Sequence, residues 1–361
     1  MDGIAQAPQQ ERAELFRRSA SVLHPVRSPS IIEKDFWVCW VLRRIYEVMQ
    51  FRPQMIFKGG TSLSKAYDAI ERFSEDVDLS LSRRGLGFAD DRDPEEPGIT
   101  RNESRRRIKA LVAVCRQVIH DRLLPALRAD FDSVIGDLDW ILEIDPTDPQ
   151  TILFTYPRSD IENRLPSYIR PVIRLEMGAR SDDWPAEYHE VRPYAAEVFP
   201  QAFKVATSCR VYVLDAQRTF WEKATLLHAE FHRPRDKPMA EGISRHYYDL
   251  YQLSRHNIGQ QALNRCDLLD RVVAHKRLFF ASAWAHYETA TSGIFHLAPP
   301  EERMPILRAD YARLREMIFG DAPTWEQIIQ NLRELENLIN RKKNMDRSVS
   351  RPLISPLKPP I

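Results

Sequence analysis

The stretch that decides the fold runs from Met55 to Ser82 and reads MIFKGGTSLSKAYDAIERFSEDVDLSLS. It begins with a short apolar strand, Met55 to Phe57, which two glycines end. Apolar residues at helical spacing follow, and the stretch closes with alternating polar and apolar residues from Phe73 to Ser82. This order predicts a strand, a short helix and a second strand.

The second predicted strand carries two aspartates. Alternation places Asp76 and Asp78 on one face, together with Ser80 and Ser82. Two ionised carboxylates this close repel each other unless a positive group lies between them. Mg²⁺ suits this position because it prefers a few carboxylate oxygens together with substrate phosphates. An isolated pair of this kind is more often a solvated strand face, so the prediction of a magnesium site depends on the neighbouring residues.

The turn before the acidic strand is such a neighbour. This glycine turn consists of Lys58, Gly59, Gly60, Thr61 and Ser62. Glycines let backbone N–H groups approach phosphate oxygens without a Cβ in the way, and the two hydroxyls can donate further hydrogen bonds. We therefore predict that the glycine turn holds the phosphates of an NTP beside the metal-binding aspartates.

A third carboxylate is expected on a neighbouring strand. The stretch Val172 to Met177 predicts a strand in which Arg174 and Glu176 share one face. A displacement that uses two metal ions needs a further carboxylate as a base or bridging ligand, and Glu176 is the candidate. An ordinary exposed strand glutamate explains the same pattern.

The remaining pattern predicts an α/β (α+β) sheet domain followed by an all-helical C-terminal domain. Paired strands are predicted at Trp140 to Ile144 and Ile152 to Tyr156, with a further strand at Arg210 to Leu214. A helix is predicted at Ile31 to Gln50, opened by a capping box of Ser30 and Glu33, and a long amphipathic helix is predicted at Asn102 to Ala129.

Four segments follow from this pattern. The predicted parts are a loosely ordered N-terminal segment (1–30), a catalytic domain (31–210), a helical domain that completes the active site (211–345) and a Pro-rich tail (346–361).

Composition describes an ordinary globular chain of 361 residues with 43% hydrophobic and 29% charged residues. Neither a secretory leader nor an apolar run long enough to cross a bilayer is present in the sequence. The four cysteines, Cys39, Cys115, Cys209 and Cys266, are scattered singly, which favours neither a zinc site nor a disulfide framework. A reducing cytoplasm without membrane contact is the expected location.

The net charge of +1 conceals an uneven distribution. From Lys204 onward the chain has 24 Lys and Arg against 18 Asp and Glu, which leaves 28 against 33 before that point. An acidic front half suits metal binding and a basic back half suits a polyanion. Scatter along solvated helix faces explains the same numbers equally well.

Five segments of the sequence, taken together, resemble the AbiEii/MenT-like nucleotidyltransferase toxins. The resemblance is carried by Lys58 to Lys65 and Arg72 to Leu79, and by three shorter segments, Ile32 to Phe36, Thr219 to Lys223 and Arg245 to Leu250. They occur in the order of that family, whose members are the toxin halves of bacterial toxin–antitoxin and phage-resistance systems. The resemblance implies a polymerase-β-type nucleotidyltransferase fold.

The resemblance also implies an active site. The residues expected to bind the nucleotide are Lys58, Gly59, Gly60, Thr61, Ser62 and Ser74. Asp76 and Asp78 would bind Mg²⁺, while Lys223 and Asp249 would complete the active site from the helical domain. In several relatives the acceptor is a tRNA 3′ end. The expected partners are therefore an NTP, a tRNA and a cognate antitoxin protein, and the chain itself is expected to be a monomer.

The residues of the back half also allow plainer explanations. Lys223 lies at the edge of an apolar helix stripe, from which it can extend to solvent or reach a triphosphate. Asp249 can pair with Arg245 at i,i+4. The tyrosines Tyr247, Tyr248 and Tyr251 can stack on a base or fill a core. His228 and His232 have the spacing of a zinc pair but no supporting motif.

The predicted reaction is attack by an acceptor hydroxyl on the NTP α-phosphate, with pyrophosphate leaving. Three alternatives remain. A protein-modifying nucleotidyltransferase would use the same residues on another acceptor. A metal-dependent nuclease or phosphatase would need the carboxylates but not the glycine turn. A non-catalytic module would bind nucleotide or RNA without reacting.

Overall fold

The computed structural model describes residues 1–49, 55–159 and 170–349. Its strands are β1 Met55–Lys58, β2 Val77–Leu81, β3 Ile141–Asp145, β4 Asp148–Thr155, β5 Val172–Gly178, β6 Ala186–Val191 and β7 Cys209–Leu214. Within the described residues they form one mixed sheet in the order β3-β4-β5-β2-β1-β7-β6. The pairs β2–β5 and β1–β7 are parallel, and the other neighbours are antiparallel.

Helices precede, connect and follow the strands. Those before the last strand are α1 Asp2–Ala5, α2 Gln9–Val22, α3 Pro29–Arg43, α4 Gly59–Lys65, α5 Arg101–Val118, α6 Leu124–Ile135 and α7 Tyr194–Val198. Those after it are α8 Ala216–Phe231, α9 Ser244–Arg255, α10 Asn257–Leu263, α11 Cys266–Phe279, α12 Met304–Leu314 and α13 Trp325–Val349. Within the described ranges, no helix combines the length and the apolar character needed to cross a bilayer.

The chain divides into two compact units. The first comprises Met1–Thr219 and Arg313–Ala322, and the second comprises Phe220–Ala312 and the chain from Pro323 onward. The described sheet belongs to the first unit. The segment Arg313–Ala322, called the return segment below, lies within the stretch that the sequence assigned to the helical domain. The Pro-rich tail is described only as far as Val349, the end of α13, and its remainder lies outside the described residues.

Most of the predicted strands are confirmed. The segments expected at Trp140 to Ile144 and Ile152 to Tyr156 are the antiparallel pair β3 and β4, in which Leu142 lies opposite Phe154. The strand from Phe73 to Ser82 is wrong in its first half, because β2 begins only at Val77. Strand β6 was not predicted: its polar sequence lacks alternation, and it lies at the edge of the sheet, where one side is unpaired.

The long helix predicted at Asn102 to Ala129 is more extensive. It starts at Arg101, passes through a π-helical turn at Ile119–Leu123 and ends at Ile135. Its buried side chains include Leu111, Cys115, Ile119 and Leu123 of the predicted apolar stripe.

The N-terminal helices correct two predictions. Residues 1–30 were expected to be loosely ordered, but α1 and α2 bury Ala5 and Phe16 in the first unit. Helix α3 begins earlier than predicted, because Pro29 suits the first helical position and Ser28 caps it by accepting from Ile31 N at 3.3 Å. The predicted capping box of Ser30 and Glu33 is therefore wrong.

Helix α3 is the central helix of the first unit. Its side chains are buried from Ser30 to Leu42, and Trp40 contacts Phe131 of α6 at a ring distance of 4.7 Å. Phe131 in turn contacts Phe154 of β4 at 4.9 Å. Packing against these large aromatic rings buries α3 on almost every side, including its three consecutive charged residues.

The second unit packs around aromatic residues of α9 and α13. Tyr247 is fully buried and contacts Trp325 at a ring distance of 5.5 Å, and Trp325 contacts Tyr311 at the same distance. Trp221 of α8 donates to Ala262 O at 3.0 Å. Burial with a satisfied polar edge is the usual way for tryptophan to fill a core.

Candidate functional site

The glycine turn and the acidic strand meet in the first unit. Strands β1 and β2 are antiparallel, with Lys58 opposite Asp78, and the chain turns into α4 at Gly59. Gly59 has a φ of +79°, and a Cβ on it would lie 1.9 Å from Asp78 Oδ2. The Asp78 carboxylate therefore lies directly against the backbone of the turn, in space that only glycine leaves free.

The second glycine is crowded by the loop before β2. A Cβ on Gly60 would lie 2.7 Å from Arg72 Nη2 and 2.8 Å from Ser74 Oγ. Both glycines are thus needed for close approach, which is the property expected of a backbone that contacts phosphate. Ser74 was predicted to contact nucleotide, and it lies beside the turn.

The hydroxyls of the turn have partners of their own. Thr61 Oγ1 donates to Asp76 O at 2.5 Å, and Ser62 Oγ donates to Gly59 O at 2.9 Å. Both side chains are buried. Thr61 thus ties the turn to the backbone of the first aspartate, and phosphate contact in this arrangement would come from backbone N–H groups of the turn rather than from these hydroxyls.

Glu176 lies on the strand next to the aspartates. It is the Cα partner of Asp78 in the parallel pair β2–β5, so the two side chains point to one face of the sheet. Its neighbours Leu175 and Met177 are buried on the opposite face. The role of Glu176 as base or metal ligand stays a prediction.

One guanidinium lies among the carboxylates of this face. Arg174 Nη1 is 2.7 Å from Asp145 Oδ2, and its Nε is 3.3 Å from Glu176 Oε1 and 4.0 Å from Asp76 Oδ1. Hydrogen bonds from Thr147, followed by that from Arg174, lower the pKa of Asp145 to about 2. Arg174 therefore supplies part of the positive charge that repelling carboxylates require.

A buried lysine supports the loop that leads to Asp76. Lys34 of α3 is 1% exposed, pairs with the carboxylate of Glu75 and donates to Arg170 O at 2.9 Å. Burial lowers the pKa of Lys34, while the charges of Glu75 and Asp76 oppose that shift. Lys34 thus fixes the position of Glu75, the residue directly before Asp76.

Helix α3 anchors two further points with charged side chains. Glu33 accepts from Ser159 N and from Ser159 Oγ, both at 2.6 Å. Asp35 lies 2.8 Å from Lys65 Nζ at the end of α4. Consecutive helix residues point about 100° apart, so one short segment can hold three different parts of the unit.

The acids at the turn fit Mg²⁺. Within residues 1–49, 55–159 and 170–349 no group of three or more His, Cys, Asp and Glu side chains is arranged to hold a metal ion. Mg²⁺ needs fewer protein ligands, since it usually keeps waters and binds one or two carboxylates plus substrate phosphates. The pair of Asp78, whose carboxylate lies against Gly59, and Asp76, whose backbone oxygen accepts from Thr61, matches that pattern.

Lys223 and Asp249 meet in the second unit. Lys223 Nζ lies 2.8 Å from Asp249 Oδ2 and 3.5 Å from His246 Nδ1. Lys223 is 7% exposed and Asp249 is fully buried. The sequence left open whether Lys223 extends to solvent, and the ion pair decides against that; a role for either residue in transfer stays a prediction.

This ion pair leads to a prediction about stability. Replacing Lys223 by methionine removes a charged partner at 2.8 Å from the buried Asp249 carboxylate, so Lys223→Met is expected to lower the free energy of unfolding by about 3–5 kcal/mol. Adding Asp249→Leu should recover most of that loss, because the buried carboxylate is then removed together with its partner. Urea unfolding measures both.

Exposed Lys109 provides the control, since Lys109→Met removes a charge without burying another. Wild-type stability of Lys223→Met would contradict the buried pair. The result also matters for activity, because transfer by Lys223 variants is interpretable only when the folded fraction is known.

The tyrosines of α9 and the histidine His228 of α8 belong to the core of the second unit. Tyr247, Tyr248 and Tyr251 are buried, which favours the packing explanation over base stacking. His228 is fully buried: its Nδ1 accepts from His296 N at 3.1 Å, and its Nε2 lies 3.0 Å from Thr289 Oγ1. Both ring nitrogens thus have partners within the protein.

The burial of His228 predicts a pH dependence of stability. Burial, followed by the charge of His232, lowers the pKa of His228 from 6.5 to about 4. The unfolded chain therefore takes up a proton at a pH where the folded protein does not. The stability that the neutral His228 contributes is complete above about pH 6.5 and is lost as the pH falls towards 4. The loss amounts to about 2 kcal/mol at pH 5.

Urea unfolding at pH 7.5 and pH 5 measures this contribution. His228→Gln should make the difference between the two pH values smaller, whereas His120→Gln, at an exposed site, should leave it unchanged. An equal pH dependence in wild type and His228→Gln would contradict the assignment.

The predicted site residues thus fall into two groups. The first unit brings together the glycine turn and the residues Ser74, Asp76, Asp78 and Glu176. The second unit pairs Lys223 with Asp249.

Sequence reasoning assigned no role to Lys34, Arg72 or Arg174. Arg174 shares a strand face with Glu176, and Arg72 immediately precedes the serine and aspartates, so position alone could have suggested both.

Comparison with known proteins identifies a family and solved structures with a similar chain. The family model described as "Nucleotidyl transferase AbiEii toxin, Type IV TA system" matches residues 40–331. Comparison with curated proteins finds no match. Among solved structures the chain is similar to MenT4, a nucleotidyltransferase toxin from Mycobacterium tuberculosis H37Rv, with 16% identity, a TM-score of 0.43 and coverage of 91% of this chain and 97% of that one.

Proposed function

Because the chain belongs to the AbiEii family of nucleotidyltransferase toxins of type IV toxin–antitoxin systems, we propose that it moves a nucleoside monophosphate from an NTP to the 3′ end of a tRNA. Such a modification prevents aminoacylation and so blocks translation and growth. Membership of the family supports the transferase chemistry and the toxin role. The tRNA acceptor follows from the family resemblance, and the excess of Lys and Arg beyond Lys204 agrees with a polyanionic substrate.

One observation carries the proposal. Asp78 Oδ2 lies only 1.9 Å from the position that a Cβ of Gly59 would take. A carboxylate and a backbone without a side chain are therefore in direct contact at this point. A nuclease or phosphatase would need the acid but not the turn. A nucleotidyltransferase needs both, because a metal ion and backbone N–H groups share the charge of one triphosphate.

The residues of the first unit divide the work. Asp76 and Asp78 would hold Mg²⁺, which when bound neutralises charge on the triphosphate and on the leaving pyrophosphate. Gly59 and Gly60 let backbone N–H groups reach the phosphates, and Ser74 Oγ can donate from the facing loop. Because phosphoryl transfer depends mainly on positioning and electrostatics, these contacts are sufficient to carry most of the rate enhancement.

Three further residues are assigned roles by their position or by the family resemblance. Glu176 shares the face of Asp78 and is proposed as base or bridging ligand. Lys223 and Asp249 are proposed to take part in transfer on the strength of the family resemblance.

The proposal is tested by incubating the protein with each α-labelled NTP, Mg²⁺ and total tRNA. We expect label from one NTP to migrate with tRNA, and we expect EDTA to prevent this. Label that migrates with protein instead identifies a protein-modifying nucleotidyltransferase. The absence of both label transfer and NTP-induced thermal stabilisation would contradict the proposal.

The cellular setting follows from the same premise. Toxins of this family act with a cognate antitoxin, and we propose that such a protein neutralises this chain. Because NTPs and tRNA are cytoplasmic, we propose that the protein acts in the cytoplasm. We also propose that it acts as a monomer. Growth arrest on expression of wild type, but not of Asp76→Ala, tests the toxin role.

A further inference from the structure

The return segment is held against the loop that leads to the acidic strand. Ile318 forms an antiparallel bridge with Arg72. Phe73 N donates to Met317 O at 2.8 Å, and Phe319 N donates to Glu71 O at 2.8 Å. Backbone bonds on both sides of the bridge leave this part of the loop little freedom, because each bond fixes a group that would otherwise be solvated.

The loop held in this way forms one wall of the glycine turn. Arg72 is 4% exposed, its Nη1 donates to Phe73 O at 3.1 Å, and its Nη2 lies 2.7 Å from where a Cβ of Gly60 would be. Ser74 Oγ lies 2.8 Å from the same position. A shift of a few tenths of an ångström in the loop therefore changes the distance between the turn and two side chains that face it.

One side chain of the return segment, that of Phe319, contacts residues on the side of α4. Phe319 packs edge-on against Tyr194 at a ring distance of 6.2 Å and an angle of 88°. The Arg27 guanidinium lies 4.6 Å from the Phe319 ring and 4.2 Å from the Tyr194 ring. Cation–π contacts of this kind gain strength when they are buried away from water.

Tyr194 transmits this contact to α4. The Tyr194 ring lies 3.6 Å from Lys65 Nζ, and its hydroxyl lies 3.3 Å from Ser64 Oγ. Lys65 is paired with buried Asp35 at 2.8 Å, so the end of α4 is held firmly. The return segment thus contacts the loop before Asp76 by its backbone, and it reaches the end of α4 indirectly, because Phe319 packs against Tyr194.

We propose that the return segment is a positioning element of the nucleotide site, which holds the Arg72–Ser74 loop at the distance from the glycine turn that NTP phosphates require. This inference rests on the proposed function for the identity of the ligand. Phe319 is a positioning residue, because it acts through Tyr194 and the loop and touches no substrate. Loosening the segment should weaken NTP binding more than it slows transfer from bound NTP.

The test begins with Phe319→Ala. We expect the Kd for the transferred NTP, measured by calorimetry with Mg²⁺, to rise about tenfold while kcat changes by less than about twofold. If Phe319→Ala does not fold, Phe319→Leu keeps the apolar volume, removes the ring and carries the same expectation. Similar losses in kcat with an unchanged Kd would overturn the proposal.

Phe88 offers a matched control. It is 2% exposed and lies 4.4 Å from the Arg92 guanidinium, as Phe319, at 4% exposure, lies beneath Arg27. Phe88→Ala should therefore remove the same kind of buried contact without changing the Kd. An equal rise in Kd in the two variants would mean that general loosening, and not the return segment, is responsible.

Two further measurements separate positioning from a general structural effect. In a Ser74→Ala background, Phe319→Ala should raise the Kd by less than it does in wild type, because the Ser74 hydroxyl that it would displace is already absent. If the effects of the two substitutions on the Kd simply multiply, the result would oppose the proposal. If wild type binds no NTP, the proposed function fails by itself. Amide exchange at Phe73 then decides the inference: faster exchange in Phe319→Ala supports it, and unchanged exchange overturns it.

Discussion

Alanine at Asp76 or Asp78 is expected to reduce nucleotidyl transfer by more than about a thousandfold, which is about 4 kcal/mol of barrier. The two carboxylates are the proposed ligands of Mg²⁺; that of Asp78 lies against Gly59, and the backbone oxygen of Asp76 accepts from Thr61 of the glycine turn. Losing one removes the cation that balances charge on the triphosphate. The measurement is incorporation of label from an α-labelled NTP into tRNA.

The fold should tolerate these changes. Both side chains are partly exposed, and the Asp76 side chain retains 22% of its accessible surface, so no core volume is lost. Removing one of two neighbouring negative charges also relieves repulsion. Asp78→Asn keeps the shape and removes the charge, and it should be as inactive as the alanine variant.

The chain provides its own control for these variants. Asp137 and Asp139 have the same spacing as the site aspartates, are exposed, and follow α6 in the chain rather than β1 and the glycine turn. Asp137→Ala and Asp139→Ala should transfer at the wild-type rate. Normal incorporation by Asp76→Ala or Asp78→Ala would remove these residues from the reaction and the magnesium site with them.

Gly59→Ala is the second change with a large expected effect. A Cβ at this position would lie 1.9 Å from Asp78 Oδ2, so the carboxylate must move for the variant to fold. We expect transfer to fall by at least about a hundredfold, since a displaced metal ligand costs several kcal/mol of transition-state stabilisation. The positive φ of +79° adds about 1 kcal/mol of backbone strain.

Gly98 separates the two effects of that methyl group. It has a φ of +88° with open space around it, so Gly98→Ala carries the strain without the collision. Gly98→Ala should lose about 1 kcal/mol of stability in urea unfolding, Gly59→Ala should lose at least as much, and only Gly59→Ala should lose activity. Wild-type transfer by Gly59→Ala would show that the position of Asp78 does not matter.

The glycine turn and the acidic strand show what local sequence can predict. Their order, spacing and alternation identified the residues that meet at Gly59. The strand prediction failed at Phe73, because its backbone N–H bonds to Met317 O instead of a sheet neighbour. Alternation identifies residues that can form a strand, but the available partner decides whether they do.

The charged residues of α3 show where prediction stops. Glu33 was expected to cap its own helix, but it accepts from Ser159, which is more than a hundred residues away in the chain. Lys34 was expected only as part of a family segment, and its partners Glu75 and Arg170 O come from two other parts of the first unit. Buried charges need partners, and sequence alone does not name them.

The sequence by itself determined the features that near neighbours control: most of the strands, the turn that only glycine permits, and the aspartate of β2 that lies against that turn. Only the tertiary structure decided that Arg174 lies among the acids, that Lys223 is buried against Asp249, and that the return segment holds the Arg72–Ser74 loop. The physical reason is range. Propensity and alternation act over a few residues, whereas the partner of a buried charge or a free backbone group is chosen by packing of the whole unit.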